Sequence, residues 1–282
     1  MRRLIINADD FGLTSGVNQA IIELHQASAL TSATLMATGA AFAEAVSSAM
    51  QATTLGVGCH VVLVDGTPVL PTSQIPSLVA ENEQKTSQFR AKLSAFVADL
   101  LRGRIADSEI EAEATAQIRK LQQAGIRLTH VDTHKHTHMF PRVLRPLLRS
   151  ALACGVKAIR NPFEPNWSLN ATATAGHVRK MQVRLLRSQS ASFAQEVTRA
   201  GLKTTDGAIG VLATGTLDAQ TIRNLLSAMP DGTWELVCHP GYNDAALQQL
   251  RTRLLDAREV ERTALLETIS GANVERIHFG EL

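Results

Sequence analysis

Apolar and polar positions along the 282 residues recur with two periods, and their order predicts strands and helices in turn. Residues 4–9 (Leu-Ile-Ile-Asn-Ala-Asp) read as a buried strand that ends in polar residues and Gly12. Thr14 or Ser15 can cap the next helix, whose apolar face is Val17, Ile21, Ile22 and Leu24. A short strand at 33–38, an Ala-rich helix at 41–52 and a strand at 55–62 follow. This β-α-β-α-β opening predicts a parallel sheet.

Residues 65–88 break the pattern with Asp65-Gly66, Pro68, Pro71 and Pro76, and loops of that length are usually functional or mobile. A helix is predicted at 87–102. Another opens on the capping-box pattern Ser108-Glu109-Ile110-Glu111, carries Ile110, Ala114, Ile118 and Leu121 at helical spacing, and closes at Gly125. A strand at 128–132 enters Thr133-His134-Lys135-His136-Thr137-His138. The remainder reads as a helix at 141–154, a strand at 156–160, a loop at 164–175 and helices at 176–189 and 192–201. Strands at 208–212 and 234–239 flank a helix at 218–229, and a long charged helix at 245–270 precedes a strand at 274–279. With no repeat, low-complexity tract or linker, one domain over 1–282 is expected. About seven strands alternating with helices predict an α/β fold, a distorted or incomplete (β/α) barrel, with an open doubly wound sheet as the alternative. The barrel is favoured because unusual polar residues follow several different strands, where barrel enzymes build their sites.

Composition narrows the class without naming a chemistry. Hydrophobic residues make up 45% and charged residues 19%, ordinary for a packed protein, and a net charge of +2 demands no nucleic acid. Cys59, Cys154 and Cys238 are too few and too irregular for a disulfide framework. The apolar run after Arg3 is too short for a signal peptide, and no stretch approaches the roughly 20 residues that span a bilayer. A cytoplasmic protein is expected.

The chemistry sits at four strand ends: Asp9-Asp10, His60, the segment Asp132 to His138, and His239. Each has an ordinary explanation, since paired acids can cap a helix and single histidines can end a strand. Three histidines in five residues are harder to dismiss. Two imidazoles and a carboxylate with open positions suit a divalent metal, and a second carboxylate beside them can act as a base in metal-assisted hydrolysis. Strand alternation then turns Cys59 and Cys238 away from the pocket as buried small hydrophobes.

The stretch Leu4-Ile-Ile-Asn-Ala-Asp-Asp-Phe-Gly-Leu13 resembles the opening motif of the YdjC-like carbohydrate deacetylases, the family of chitooligosaccharide deacetylase. Gly58-Cys-His60, His130-Val-Asp-Thr-His-Lys-His-Thr-His-Met-Phe-Pro141 and Val237-Cys-His-Pro240 resemble its later motifs in the same order. The resemblance implies Asp10, His60 and His134 as metal ligands and Asp9 as general base. It places His239 near the leaving amine as an acid, with His136 and His138 as alternatives. It implies magnesium as the metal, with zinc compatible with the ligands. Lys135 departs from the family, where a further histidine is common. The loop from His60 through Pro71 to Pro76 resembles the hopanoid-biosynthesis branch, HpnK, and points to an N-acetylglucosaminyl hopanoid.

The leading expectation is therefore a metal-dependent N-deacetylase of an amino sugar, lipid-linked in the HpnK reading. Its rivals are a chitooligosaccharide deacetylase, a metal-dependent phosphoesterase, and a sugar- or metal-binding module without turnover. Val64, Val69, Leu70, Ile75, Met139, Phe140 and Phe163 could line a lipid path or merely pack the loops. Residues 178–187, with Arg179, Lys180, Arg184 and Arg187, could lie on an anionic membrane or form a solvated helix face. The partners considered are the acetylated sugar, a membrane surface and a second copy in a homodimer, with no nucleic acid.

Overall fold

The computed structural model describes residues 1–81, 87–173, 177–250, 252 and 254–282. In chain order the elements are β1 (Arg2–Phe11), α1 (Ser15–Gln26), β2 (Ser32–Leu35), α2 (Phe42–Gln51) and β3 (Gly56–Val61). The loop after β3 leads through β4 (Val79–Glu81) and β5 (Ser87–Phe89) to α3 (Leu93–Leu101) and α4 (Asp107–Gln123). Then come β6 (Val131–Thr133), α5 (Pro141–Ala153), α6 (Asn166–Ala171), α7 (His177–Leu186) and α8 (Ser190–Arg199). The chain finishes with β7 (Gly207–Ile209), α9 (Ala219–Ala228), β8 (Gly232–Cys238), α10 (Ala245–Gln248), α11 (Leu255–Thr268) and β9 (Glu275–Arg276).

The main sheet is parallel, in the order β6-β3-β2-β1-β8-β7, with β9 added to the start of β1. It curls. Residues 157–163 bridge from β6 to the β7 side: Val131 pairs with Ile159, Ala158 pairs with Lys203, and Ala208 N donates to Phe163 O at 3.3 Å. The result is the distorted (β/α) barrel expected from the strand–helix alternation. Because β1 is covered on both sides, its alternation sorts side chains between two buried surfaces. Leu4, Ile6 and Ala8 join the main core with Val17, Ile21 and Leu24 of α1. Ile5 instead clusters with Ala158, Ile277 and Phe279, an apolar plug beneath the polar Asn7 and Asp9 farther along the same strand.

Residues 82–86 of the predicted loop 65–88 lie outside the described residues, and the part up to Ser77 is held by one face of α4. Gln117 Oε1 accepts from Val62 N at 2.8 Å, and Glu113 accepts from Val69 N and Leu70 N at 2.8 and 3.0 Å. Glu109 accepts from Ser77 N at 2.7 Å. These side chains stand four residues apart, so they share a face. The expected capping box of Ser108 and Glu111 does not form: the helix begins at Asp107, its N-cap, Ala106, has no side-chain acceptor, and Glu111 Oε2 accepts from Arg149 Nε at 2.7 Å.

Other boundaries differ for local reasons. Ser87 to Phe89 pair with β4 instead of starting a helix, and α3 begins at Leu93. Residues 156–160 make only isolated bridges, and the expected loop at 164–175 contains α6. The expected long C-terminal helix is two, α10 and α11. The final strand shrinks to two residues. Cys59 and Cys238 are fully buried as expected, whereas Cys154 is only half-buried. No helix among the described residues is long and apolar enough to cross a membrane. In α7 the side chains of Arg179 and Leu185 lie outside the described residues, and Met181 is exposed.

Candidate active site

Two neighbouring strand residues normally point to opposite faces, yet Asp9 and Asp10 meet one pocket. The pairing of β1 with β2 shifts register between Ala8 and Phe11, and Asp10 takes a left-handed backbone with φ 66°. This bulge turns the second acid back toward the rim. Just beyond it, Gly12 has φ +90°, and Gly39 packs so tightly on the Gly12 carbonyl that a side chain at 39 would collide with it. Asp10 Oδ2 accepts from Arg258 Nη2 at 2.6 Å, while its buried Oδ1 has no hydrogen-bond partner. Burial resists ionisation of Asp10, but Arg258 and the adjacent imidazoles hold its carboxyl well below the usual range.

That unpartnered Oδ1 lies 3.5 Å from His60 Nε2 and 3.3 Å from His134 Nδ1, and the two ring nitrogens are 3.2 Å apart. Three donor atoms face one point. Ligand bonds of about 2.0–2.1 Å in a tetrahedral array put donors about 3.3–3.4 Å apart, so the three residues fit a divalent ion. His60 is oriented for that role: its Nδ1 bonds to Asp132 Oδ1 at 2.8 Å, leaving Nε2 for the pocket. Carboxylate–histidine pairs of this kind fix the tautomer of a ligating imidazole. Burial lowers the affinity of His60 for a proton, but Asp132, Asp9 and Asp10 outweigh it and push its pKa up to about 9. A cation placed among the same carboxylates would feel the same field.

Beside this trio lies a second charged group. Arg160, fully buried, forks onto Asp9, with Nη1 to Oδ2 at 2.8 Å and Nη2 to Oδ1 at 2.6 Å. It also pairs with Asp132, and its Nε donates to Glu235 Oε1 at 2.8 Å. Asn7 and Thr34 donate to Asp9 Oδ1 at 3.0 and 3.2 Å. Burial opposes the charge on Asp9, but Arg160 prevails and its pKa is strongly lowered. His239 Nε2 stands 3.8 Å from Asp9 Oδ2. Its backbone N–H donates to Glu261 at 2.6 Å, and its Nδ1 makes no hydrogen bond.

The other histidines of the run separate by environment. His138 is buried and used at both nitrogens, by Thr133 Oγ1 at 2.7 Å and the Arg160 carbonyl at 3.2 Å. His136 follows Lys135 through two left-handed residues, φ 51° and 56°. Burial and then Arg160 depress its pKa to about 3, which leaves it neutral near pH 7. Lys135 turns outward to Asp65 at 2.6 Å. Of the three candidate acids, His239 alone lies within 4 Å of Asp9 among the described contacts.

The geometry can be set beside known proteins. The family model described as YdjC-like protein matches residues 3–273. The chain belongs to the YdjC-like family. A carbohydrate deacetylase of Brevibacillus brevis is 30% identical over 285 aligned positions, covering 99% of each chain. A chitooligosaccharide deacetylase of Salmonella paratyphi C is 30% identical over 250 positions, covering 88% of this chain and 85% of its own. Among solved structures, a proposed cellobiose-phosphate cleavage protein of Enterococcus faecalis V583 superposes with a TM-score of 0.74 at 26% identity, covering 99% and 98% of the two chains.

In this YdjC-like chain the structure brings together Asp9, Asp10, His60, His134 and His239, the residues picked out from the sequence. Sequence reasoning passed over Arg160, Glu235, Arg258, Glu261 and Thr34. Arg160 had a signal, since it ends a predicted strand as the other site residues do. Glu235 had one too, as a lone charge in the apolar run Trp234-Glu-Leu-Val-Cys238. Arg258 had none: it is one charge among many on α11 and reaches Asp10 only through the fold.

Proposed function

We propose that this protein hydrolyses the N-acetyl group of an acetylated amino sugar. The carrying observation is the trio Asp10–His60–His134, with its unpartnered carboxylate oxygen, beside the Asp9–His239 pair in a YdjC-like fold. Asp10, His60 and His134 would hold a divalent ion, which when bound would polarise the acetyl carbonyl and make a water more acidic. Asp9 takes a proton from the attacking water as the new C–O bond forms. Arg160 fixes the Asp9 rotamer and keeps it ionised. His239 gives a proton to the amine nitrogen as the C–N bond breaks, because an unprotonated amine leaves poorly. Acetate and the free amino sugar result. A carboxylate held this far below its usual range is a weak base, so chelation should abolish turnover. Two imidazoles and one carboxylate are donors that suit zinc or another transition ion better than magnesium, which prefers oxygen.

The rival phosphoesterase reading usually calls for two metals. The second acidic cluster, Asp9–His60–Asp132, already carries the Arg160 guanidinium on both carboxylates, which disfavours a second ion there. The lipid-linked substrate rests on the loop resemblance alone. Val64, Ile75 and Phe163 are buried, and Val69, Leu70, Met139 and Phe140 pack against the core, so they serve the ordinary purpose of seating the loops. The test is acetate release from short chitooligosaccharides, N-acetylglucosamine conjugates and lipid-linked forms, each with and without chelator. Chelator-sensitive acetate release from at least one is expected. Release of phosphate from phosphoesters, with acetate from none, would overturn the assignment.

A further inference from the structure

Glu235 is fully buried near the middle of β8, in register with Ile5 of β1 and Ala208 of β7. A buried acid is costly unless it is paired and hydrogen-bonded. Its Oε1 takes the Nε edge of Arg160 at 2.8 Å and lies 2.7 Å from Nη2, while Oε2 has no hydrogen-bond partner. A guanidinium is a rigid planar fork, so anchoring one edge sets the direction of the other. The other edge is the pair of Nη groups that reaches both oxygens of Asp9.

We infer that Glu235 is a positioning residue for the reaction: by holding the Nε edge of Arg160 it aims the guanidinium, and so fixes the carboxylate of Asp9 in its working orientation. This rests on the proposed role of Asp9 as base. The charged groups facing Glu235 are Arg160, Asp9 from β1 and Asp132 from β6. Burial pushes the Glu235 carboxyl up to about 7 against the pull of Arg160, so an amide is a close stand-in for its neutral form.

The experiment compares Glu235→Leu, Glu235→Gln and Asp9→Asn with the wild type in kcat, KM and thermal midpoint, all metal-loaded. Glu235→Leu should lower kcat by about 10²-fold with KM unchanged, the scale of a misplaced catalytic group. Glu235→Gln, whose Oε1 accepts the same N–H, should recover most of the lost kcat. A Leu variant with normal kcat, or one whose KM rises in step as kcat falls, overturns the inference. If the Leu variant does not fold, a folded Gln variant with kcat down 10²-fold overturns it equally, and one with near-normal kcat and KM supports it. Near-normal turnover of Asp9→Asn would instead remove the base reading itself.

Discussion

At the scale of single residues, one carboxylate and one imidazole carry the sharpest expectations. Asp9→Asn keeps the shape but removes the proton acceptor, so kcat should fall by about 10² to 10⁴, the usual worth of a general base. Asp9 is not in the donor trio, so metal content measured by mass spectrometry should stay at the wild-type stoichiometry. Loss of the metal together with activity would show that Asp9 is a ligand and not the base. His134→Ala should behave oppositely. Its Nδ1 is 3.3 Å from Asp10 Oδ1 and 3.2 Å from His60 Nε2, and without it the site has two donors. Metal and activity should disappear together. Stoichiometric metal in the His134→Ala protein would sink the trio.

Among elements, α4 and the loop after β3 are joined by side chain–backbone bonds in place of regular pairing. Glu113 is fully buried and accepts from Val69 N, Leu70 N and Gln117 Nε2. Glu113→Ala leaves the Val69 and Leu70 N–H groups without their acceptor while Gln117 keeps its bond to the Val62 carbonyl, and two half-buried donors at about 1–2 kcal/mol each should cost about 2–4 kcal/mol. The melting temperature should then drop by about 5–15 °C, and protease should cut the loop sooner. An unchanged melting temperature would mean that water or a shifted side chain satisfies those groups. The bulge at the end of β1 is the second element-level device: without the left-handed Asp10, the two neighbouring carboxylates could not share a pocket.

Over the whole molecule, buried histidines set a pH dependence of stability. Burial pushes His130 and His138 well below their usual range and His136 to about 3, so all three fold neutral. The unfolded chain binds protons at these three once the pH drops below about 6.5, and the folded protein does not. Glu235, raised to about 7, and Glu261, also raised by burial, act with the opposite sign because their folded forms bind protons first. His60, raised to about 9, is protonated in both states below about 6.5 and drops out. Three against at most two leaves at least about one proton taken up on unfolding between pH 6 and 5, worth about 1.4 kcal/mol per pH unit. Asp9 and Asp10, held low, add loss of the same sign as the pH falls through the carboxylate range. The urea midpoint of chelator-treated protein should therefore fall from pH 6 to pH 5. A midpoint that rises over that interval would contradict the burial of these imidazoles in neutral form.

The order of strands and helices, the barrel class and the positions of Asp9, Asp10, His60, His134 and His239 were legible along the chain. Local periodicity and strand ends encode them, and the motif resemblance reinforced the site. Boundaries were lost where distant groups intervened. The Ser108–Glu111 capping box does not form, with Glu111 bonded to Arg149 across 38 residues of chain, and residues 156–160 make isolated bridges instead of a strand. The engagement of His138 was hidden too, since Thr133 and the Arg160 carbonyl take both its nitrogens. Arg160 meets Glu235 and Asp9, and Arg258 meets Asp10, across 75 to 248 residues of chain. No local pattern encodes such meetings. They exist because curling the parallel sheet brings the interior side chains of β1, β6 and β8 to one axis, where buried charges must find each other.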